Sequence, residues 1–78
     1  MKTKNYTIKW SYEETPLSRH RYTYCGIDNG TKRIALGWAI CSESDNFSRD
    51  AGRKLSLARA LKGAHIPKEE RKEIWEAY

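Results

Sequence analysis

From Ile34 to Cys41 bulky and small side chains alternate without a break: Ile34, Leu36, Trp38 and Ile40 on one parity, Ala35, Gly37, Ala39 and Cys41 on the other. A period of two belongs to a β-strand, because successive Cβ atoms leave opposite faces of the pleat. Whatever this chain becomes must therefore contain a strand with one bulky and one small face. The remaining residues have to cover at least one of them.

Two earlier stretches share the period. Within residues 4–13, Tyr6, Ile8, Trp10 and Tyr12 alternate with Thr7, Lys9 and Ser11; further on, His20, Tyr22 and Tyr24 oppose Arg21, Thr23 and Cys25. Residues 13–18 include Pro16 and read as a loop, since proline cannot donate to a ladder. Asp28-Asn29-Gly30 is a hairpin signal, because Asn and Gly tolerate positive φ. A three-residue loop with Gly30 left-handed pairs Tyr24 with Ile34, Tyr22 with Leu36 and His20 with Trp38. A two-residue Asn29-Gly30 loop shifts the pairing by one and sets the tyrosines over Ala35 and Gly37. The first register is preferred because it builds one continuous apolar face. On this reading Tyr6, Trp10, Tyr12, Tyr22, Tyr24 and Trp38 belong to the core rather than to a base-stacking platform, since a chain this small has little else to bury. The small-residue face is expected to be open, with Arg21 and Arg33 upon it.

After Ser42 the period lengthens. Ser44-Asp45-Asn46 supplies capping side chains, and a helix is expected from about Phe47 or Ser48 to Leu61. Ala51, Leu55, Leu57, Ala58 and Leu61 form its apolar arc; Arg49, Gly52, Arg53, Ser56 and Arg59 fall on the other side. Gly63 terminates it, and Pro67 suits the first position of a second helix whose Glu69 and Glu70 complement the positive N-terminus. Ile74, Trp75 and Tyr78 supply that helix's stripe. The expected fold is α+β: a three-stranded antiparallel meander followed by two helices, β-β-β-α-α. With 78 residues it is one domain over residues 1–78.

Function classes narrow by exclusion. No apolar run approaches the ~18 residues that span a bilayer, and no export signal opens the chain, so a cytoplasmic protein without membrane contact is expected. Cys25 and Cys41 lie several residue pairs apart in either register, too far for a disulfide. With His20 and His65 they offer no ligand spacing of the zinc type, so neither metal nor cofactor is expected. His20 reads as a packed or rim residue beside tyrosines and His65 as a solvated turn residue. No nucleophile elbow, phosphate-binding glycine loop or H-E-x-x-H is present, and no enzyme is expected. The two-helix ending evokes helix-turn-helix only superficially, because its second helix is acidic.

The formal net charge of +5 is uneven: residues 47–62 hold five basic residues against one acid. Arg49, Arg53, Ser56 and Arg59, with Lys54, form the candidate partner-binding face, edged by arginine around the small strip Gly52, Ser56 and Ala60. Arg21, Lys32 and Arg33, with Arg19 nearby, make a secondary basic patch. The plainer alternative is that Gly52 packs on the small face of the third strand and the arginines are an ordinary solvated face.

The stretch Asp45-Asn46-Phe47-Ser48-Arg49-Asp50-Ala51-Gly52-Arg53 to Leu61, followed by Arg71 and Ile74-Trp75, resembles a pattern in small bacteriophage and prophage proteins. The resemblance covers the last ~35 residues and implies an early-expressed modulator of host machinery, in some members an anti-CRISPR or other anti-defence inhibitor. It transfers no residue-level role, and a basic chain does not suit the acidic DNA-mimic mechanism. Three functions follow as expectations. The first is a non-enzymatic binding protein that occupies a surface of a host protein or ribonucleoprotein complex. The second is direct nucleic-acid binding by the basic helix face with Lys32 and Arg33. The third is a dimerising module that uses the small-residue sheet face.

Overall fold

A computed structural model describes residues 1–15, 20–41 and 49–78, with backbone alone at Thr15 and Cys41. It carries strands β1 (Thr7–Thr15), β2 (His20–Asp28) and β3 (Arg33–Cys41), then helices α1 (Arg49–Gly63) and α2 (Lys68–Ala77). The sheet is an antiparallel meander in the order β1-β2-β3, so the α+β arrangement β-β-β-α-α stands. The proposed caps Ser44, Asp45 and Asn46, the helix start at Phe47 or Ser48, Pro16 and Arg19 lie outside the described residues.

Neither loop expected from the turn is the one formed. Tyr24 pairs with Trp38, Tyr22 with Ile40 and Gly26 with Leu36, four residues beyond the preferred register. The connection is Asn29–Lys32, which the Asn29 side chain organises. Its Oδ1 accepts from the Thr31 amide at 3.1 Å, the Thr31 hydroxyl at 2.9 Å and the Lys32 amide at 3.1 Å. Gly30 has φ 99°, the left-handed conformation that favours glycine. Ile27 pairs with Ala35 and Asp28 with Arg33, so Ile34 is an extra residue and the ladder bulges there. The shift of four preserves parity, and Tyr22, Tyr24, Leu36, Trp38 and Ile40 still share one face.

That face is not the core. The helices lie on the other side. Ile8, Cys25 and Ile27 of the sheet are buried with Leu57, Ala60, Leu61, Ile66 and Ile74, and Thr23 and Ala39 are buried beside them. The register Ile8↔Ile27, Trp10↔Cys25, Tyr12↔Thr23 carries the apolar residues of β1 onto the small-residue parity of β2 and β3. Backbone proximity explains the choice. A Cβ placed on Gly37 would stand 2.1 Å from the Ser56 carbonyl oxygen and 2.4 Å from the Ala60 nitrogen, so α1 rests almost directly on β3. The strip Gly52, Ser56, Ala60 is the seat, with Gly52 against Thr23. Once the two small surfaces meet, Leu57 and Leu61 reach down beside them, and the bulk of the core comes from the helix layer.

Ser56 is therefore fully buried, its hydroxyl donating to the Arg53 carbonyl at 3.1 Å. It cannot belong to an exposed contact face. Leu55, Ala51 and Ala58, expected in the apolar arc, are exposed instead. In the second helix Pro67 caps rather than opens the first turn, Ile74 is buried, and Trp75 and Tyr78 stay exposed. Cys25 is a buried free thiol, pushed up to about 12 by burial. It pairs with Gly37, while Cys41 pairs with Arg21, four residues further along and beyond disulfide reach.

Candidate functional site

The basic residues of α1 are spent largely on the protein itself. Arg49 lies over the Tyr12 ring, 5.0 Å from its centroid. The Arg53 Nε donates to the Tyr12 hydroxyl, and its guanidinium also faces Trp10 at 6.0 Å. The Trp10 indole in turn donates to the Arg53 carbonyl at 3.2 Å. Lys54 pairs with Asp50 at 3.2 Å. The Arg59 Nη1 donates to the Trp38 carbonyl at 2.7 Å. The three arginines clamp the two flanks of α1 onto β1 and β3, while Lys54 pairs within the helix. They remain exposed, but each already has a partner.

The secondary patch divides. Arg21 stands near Glu14 at 3.9 Å and shares a hollow of about 360 Å³ with Tyr12, Glu13, Glu14, Tyr22 and Arg49, so its surroundings are of mixed sign. Arg33 is at the opposite end of β2. The bulge turns it away from the small-residue face: its guanidinium bonds Asp28 at 2.8 Å and lies across Gly26, a position with the parity of Tyr22 and Tyr24. The two arginines do not share a face.

What the structure brings together is the sheet surface opposite the helices. Leu36 is 56% exposed, Trp38 48% and Ile40 45%, values that no core side chain approaches. Tyr22 and Tyr24 lie beside them with near-parallel rings, 6.3 Å between centroids and 16° between planes, and His20 continues the row 6.5 Å from Tyr22. From β1 the same face receives Lys9 opposite Gly26, Ser11 opposite Tyr24 and Glu13 opposite Tyr22. The Tyr24 phenol is held above its ordinary range, first by desolvation and then by its hydrogen bond to Glu13.

This apolar and aromatic row runs into a cationic end. A shallow hollow of about 420 Å³ is lined by Lys2, Thr7, Lys9, Asp28, Gly30, Thr31, Lys32 and Arg33, four cations to one carboxylate, and that carboxylate is already taken by Arg33. Among the described residues, no ion pair neutralises Lys2, Lys9 or Lys32. The N-terminal residues complete the hollow by folding back on β1: the Met1 ammonium donates to the Ile8 carbonyl at 3.0 Å, the Ile8 amide donates to the Met1 carbonyl at 2.7 Å, and Lys2 bridges to Thr7.

Sequence reasoning reached Lys32 and Arg33, weighed Tyr22, Tyr24 and Trp38 as a stacking platform but assigned them to the core, and missed Lys9. The signal was present. Gly37 in the middle of a strand and a Gly-x3-Ser-x3-Ala strip on a helix are complementary small surfaces, and their meeting leaves the bulky parity outside.

No family model, curated protein or solved structure matches this chain. Among the described residues, no helix is long and apolar enough to cross a membrane.

Proposed function

We propose that this chain is a non-enzymatic binding protein that works by laying the open face of its sheet against a host protein or ribonucleoprotein complex. One observation supports the reading above the rest. Leu36, Trp38 and Ile40 stand half-exposed in a single row beside Tyr22 and Tyr24. Contiguous apolar surface of this kind on a small chain marks an interaction site, whereas scattered exposed apolar residues are ordinary. Aromatic anchors at the centre of a patch are also where binding energy concentrates.

The contact surface thus moves from the first helix to the sheet. The dimerising alternative loses its surface, because α1 covers the small-residue face. The phage-type, anti-defence role rests on the resemblance of residues 45–61, 71 and 74–75 and names the kind of lysate to search. The test is affinity capture from bacterial lysate, with and without nuclease, using the wild-type chain, Ile40→Asp, and the double variant Arg49→Glu/Arg53→Glu. Capture lost in Ile40→Asp and kept in the double arginine variant is the expected result. The reverse pattern returns the site to α1 and overturns the reading.

A further inference from the structure

We propose that the partner surface seated on the open sheet face is single-stranded nucleic acid, its bases stacked on Tyr24, Trp38 and Tyr22 and its phosphates held at the Lys2, Lys9, Lys32, Arg33 end. The inference rests on the open-face reading above and names the chemistry that face would take.

Geometry and charge carry it together. Tyr24 and Trp38 are cross-strand partners and Tyr22 is next along β2, so three aromatic side chains occupy adjacent positions of one exposed face. Every base has a π-face, so stacking on such rings tolerates any sequence, provided the bases are not already stacked inside a duplex. The backbone that connects those bases is a polyanion. It needs cations beside the rings rather than across the molecule, and β1 and the hairpin supply them. Lys9 sits opposite Gly26, two residues from Tyr24 on β2, with Arg33 over Gly26 and Lys2 and Lys32 beside them. From Asp28 to Tyr22 the strand covers about 20 Å, a track for a short single strand running from the cationic hollow onto the rings. Leu36 and Ile40 flank Trp38 on β3 and shield the stacked bases from water.

Of the carboxylates on this face, Asp28 is bonded to Arg33, and Glu13, opposite Tyr22 and bonded to the Tyr24 hydroxyl, lies at the ring end of the track, away from the cationic hollow that would hold the phosphates. A second copy of the chain fits less well, because it brings another net +5 body against the first. An acidic protein would satisfy the cations but would leave the adjacent rings without stacking partners.

The experiment is fluorescence anisotropy of short labelled single-stranded RNA and DNA oligonucleotides of mixed sequence, titrated with the intact chain at several salt concentrations, with a duplex of the same length as control. Binding should favour the single strands. Its log–log salt slope should be near −2, since each phosphate neutralised on a single strand contributes about −0.7 and Lys2, Lys9 and Lys32 are the three cations available, Arg33 being paired with Asp28. Trp38→Ala and Tyr24→Ala should each weaken binding about tenfold or more with the slope unchanged. Lys9→Ala/Lys32→Ala should instead flatten the slope by about 1.4. Quenching of tryptophan emission on binding to the wild-type chain, absent in a folded Trp38→Phe variant that keeps Trp10 and Trp75, reports stacking at Trp38 directly. No single-strand binding at low salt overturns the inference; so do binding untouched by the Trp38 and Tyr24 variants and a self-associated chain whose sheet face is occupied by its copy. If oligonucleotides fail while nuclease-resistant lysate capture remains sensitive to Ile40→Asp, the nucleic-acid assignment falls and the open-face reading stands. If capture is indifferent to Ile40→Asp, the open-face reading falls.

Discussion

Gly37 is the residue on which the arrangement turns. Its missing side chain lets the Ser56 carbonyl and the Ala60 nitrogen approach the sheet, and a methyl group there would meet backbone rather than a movable side chain. Gly37→Ala should therefore destabilise the protein by about 2 kcal/mol or more, at the upper part of what overpacking costs; urea unfolding followed by circular dichroism measures it. Gly52 makes a useful contrast. The atom met there is the Thr23 hydroxyl at 2.7 Å, a side chain that can rotate, and alanine also recovers roughly 1 kcal/mol of helix propensity. Gly37 is the position with no such offset. The alternation around it was plain in the sequence, but alternation alone does not say which of two faces is buried.

At the scale of elements, the ends of the chain are fastened by phenols. The Tyr6 hydroxyl donates to the Glu70 carboxylate at 2.6 Å, and Asn5 donates to the same carboxylate at 2.8 Å, tying the segment before β1 to α2. Tyr78, after α2, donates to Asp50 in the first turn of α1 and packs edge-on against Trp10 at 5.8 Å. Asp50 is held below the usual carboxylate range by Tyr78 first and Lys54 second. Tyr6, chiefly through Glu70, and Tyr78, through desolvation and then Asp50, are both pushed up to about 12 from 10.0. Folding thus favours the neutral phenols. Their contribution is complete below pH 10, where unfolded tyrosine is also neutral, and is lost as pH rises through about 12. Stability should fall between those values, and Tyr6→Phe/Tyr78→Phe should make the fall shallower, as read from denaturation midpoints across that range. Helix positions were legible from spacing, as was an apolar stripe of Ile74, Trp75 and Tyr78 for α2, of which only Ile74 is buried. The tyrosine contacts were not, because they join residues 28 and 64 positions apart.

Across the whole molecule the two faces of the sheet should respond differently to substitution. Leu57 is fully buried between α1 and the sheet, so Leu57→Ala should cost about 2–5 kcal/mol. Leu36 is the most exposed large hydrophobic residue on the open face, so Leu36→Ser should change stability by no more than about 0.5 kcal/mol, measured by the same unfolding curves. Equal losses at the two positions would mean that the core lies on both sides. The expectation that the bulky row forms the core failed because it counted the sheet's own apolar residues and left out those that α1 and α2 bring. The turn register failed for a more local reason: Asn29 can fold its side chain over a longer loop, and a bulge at Ile34 absorbs the extra residue.

The sequence by itself determined three strands, two helices, their order and the alternation of side chains within each strand, since each follows from a local period or a capping residue; which alternating sets of β1, β2 and β3 share a face came from the strand register. Only the tertiary structure decided which face is covered. That choice depends on how closely a helix can approach, and small met small because backbone contact at Gly37 lets Leu57 and Leu61 of α1 pack into the core beside it, leaving tyrosine, tryptophan, leucine and isoleucine turned outward.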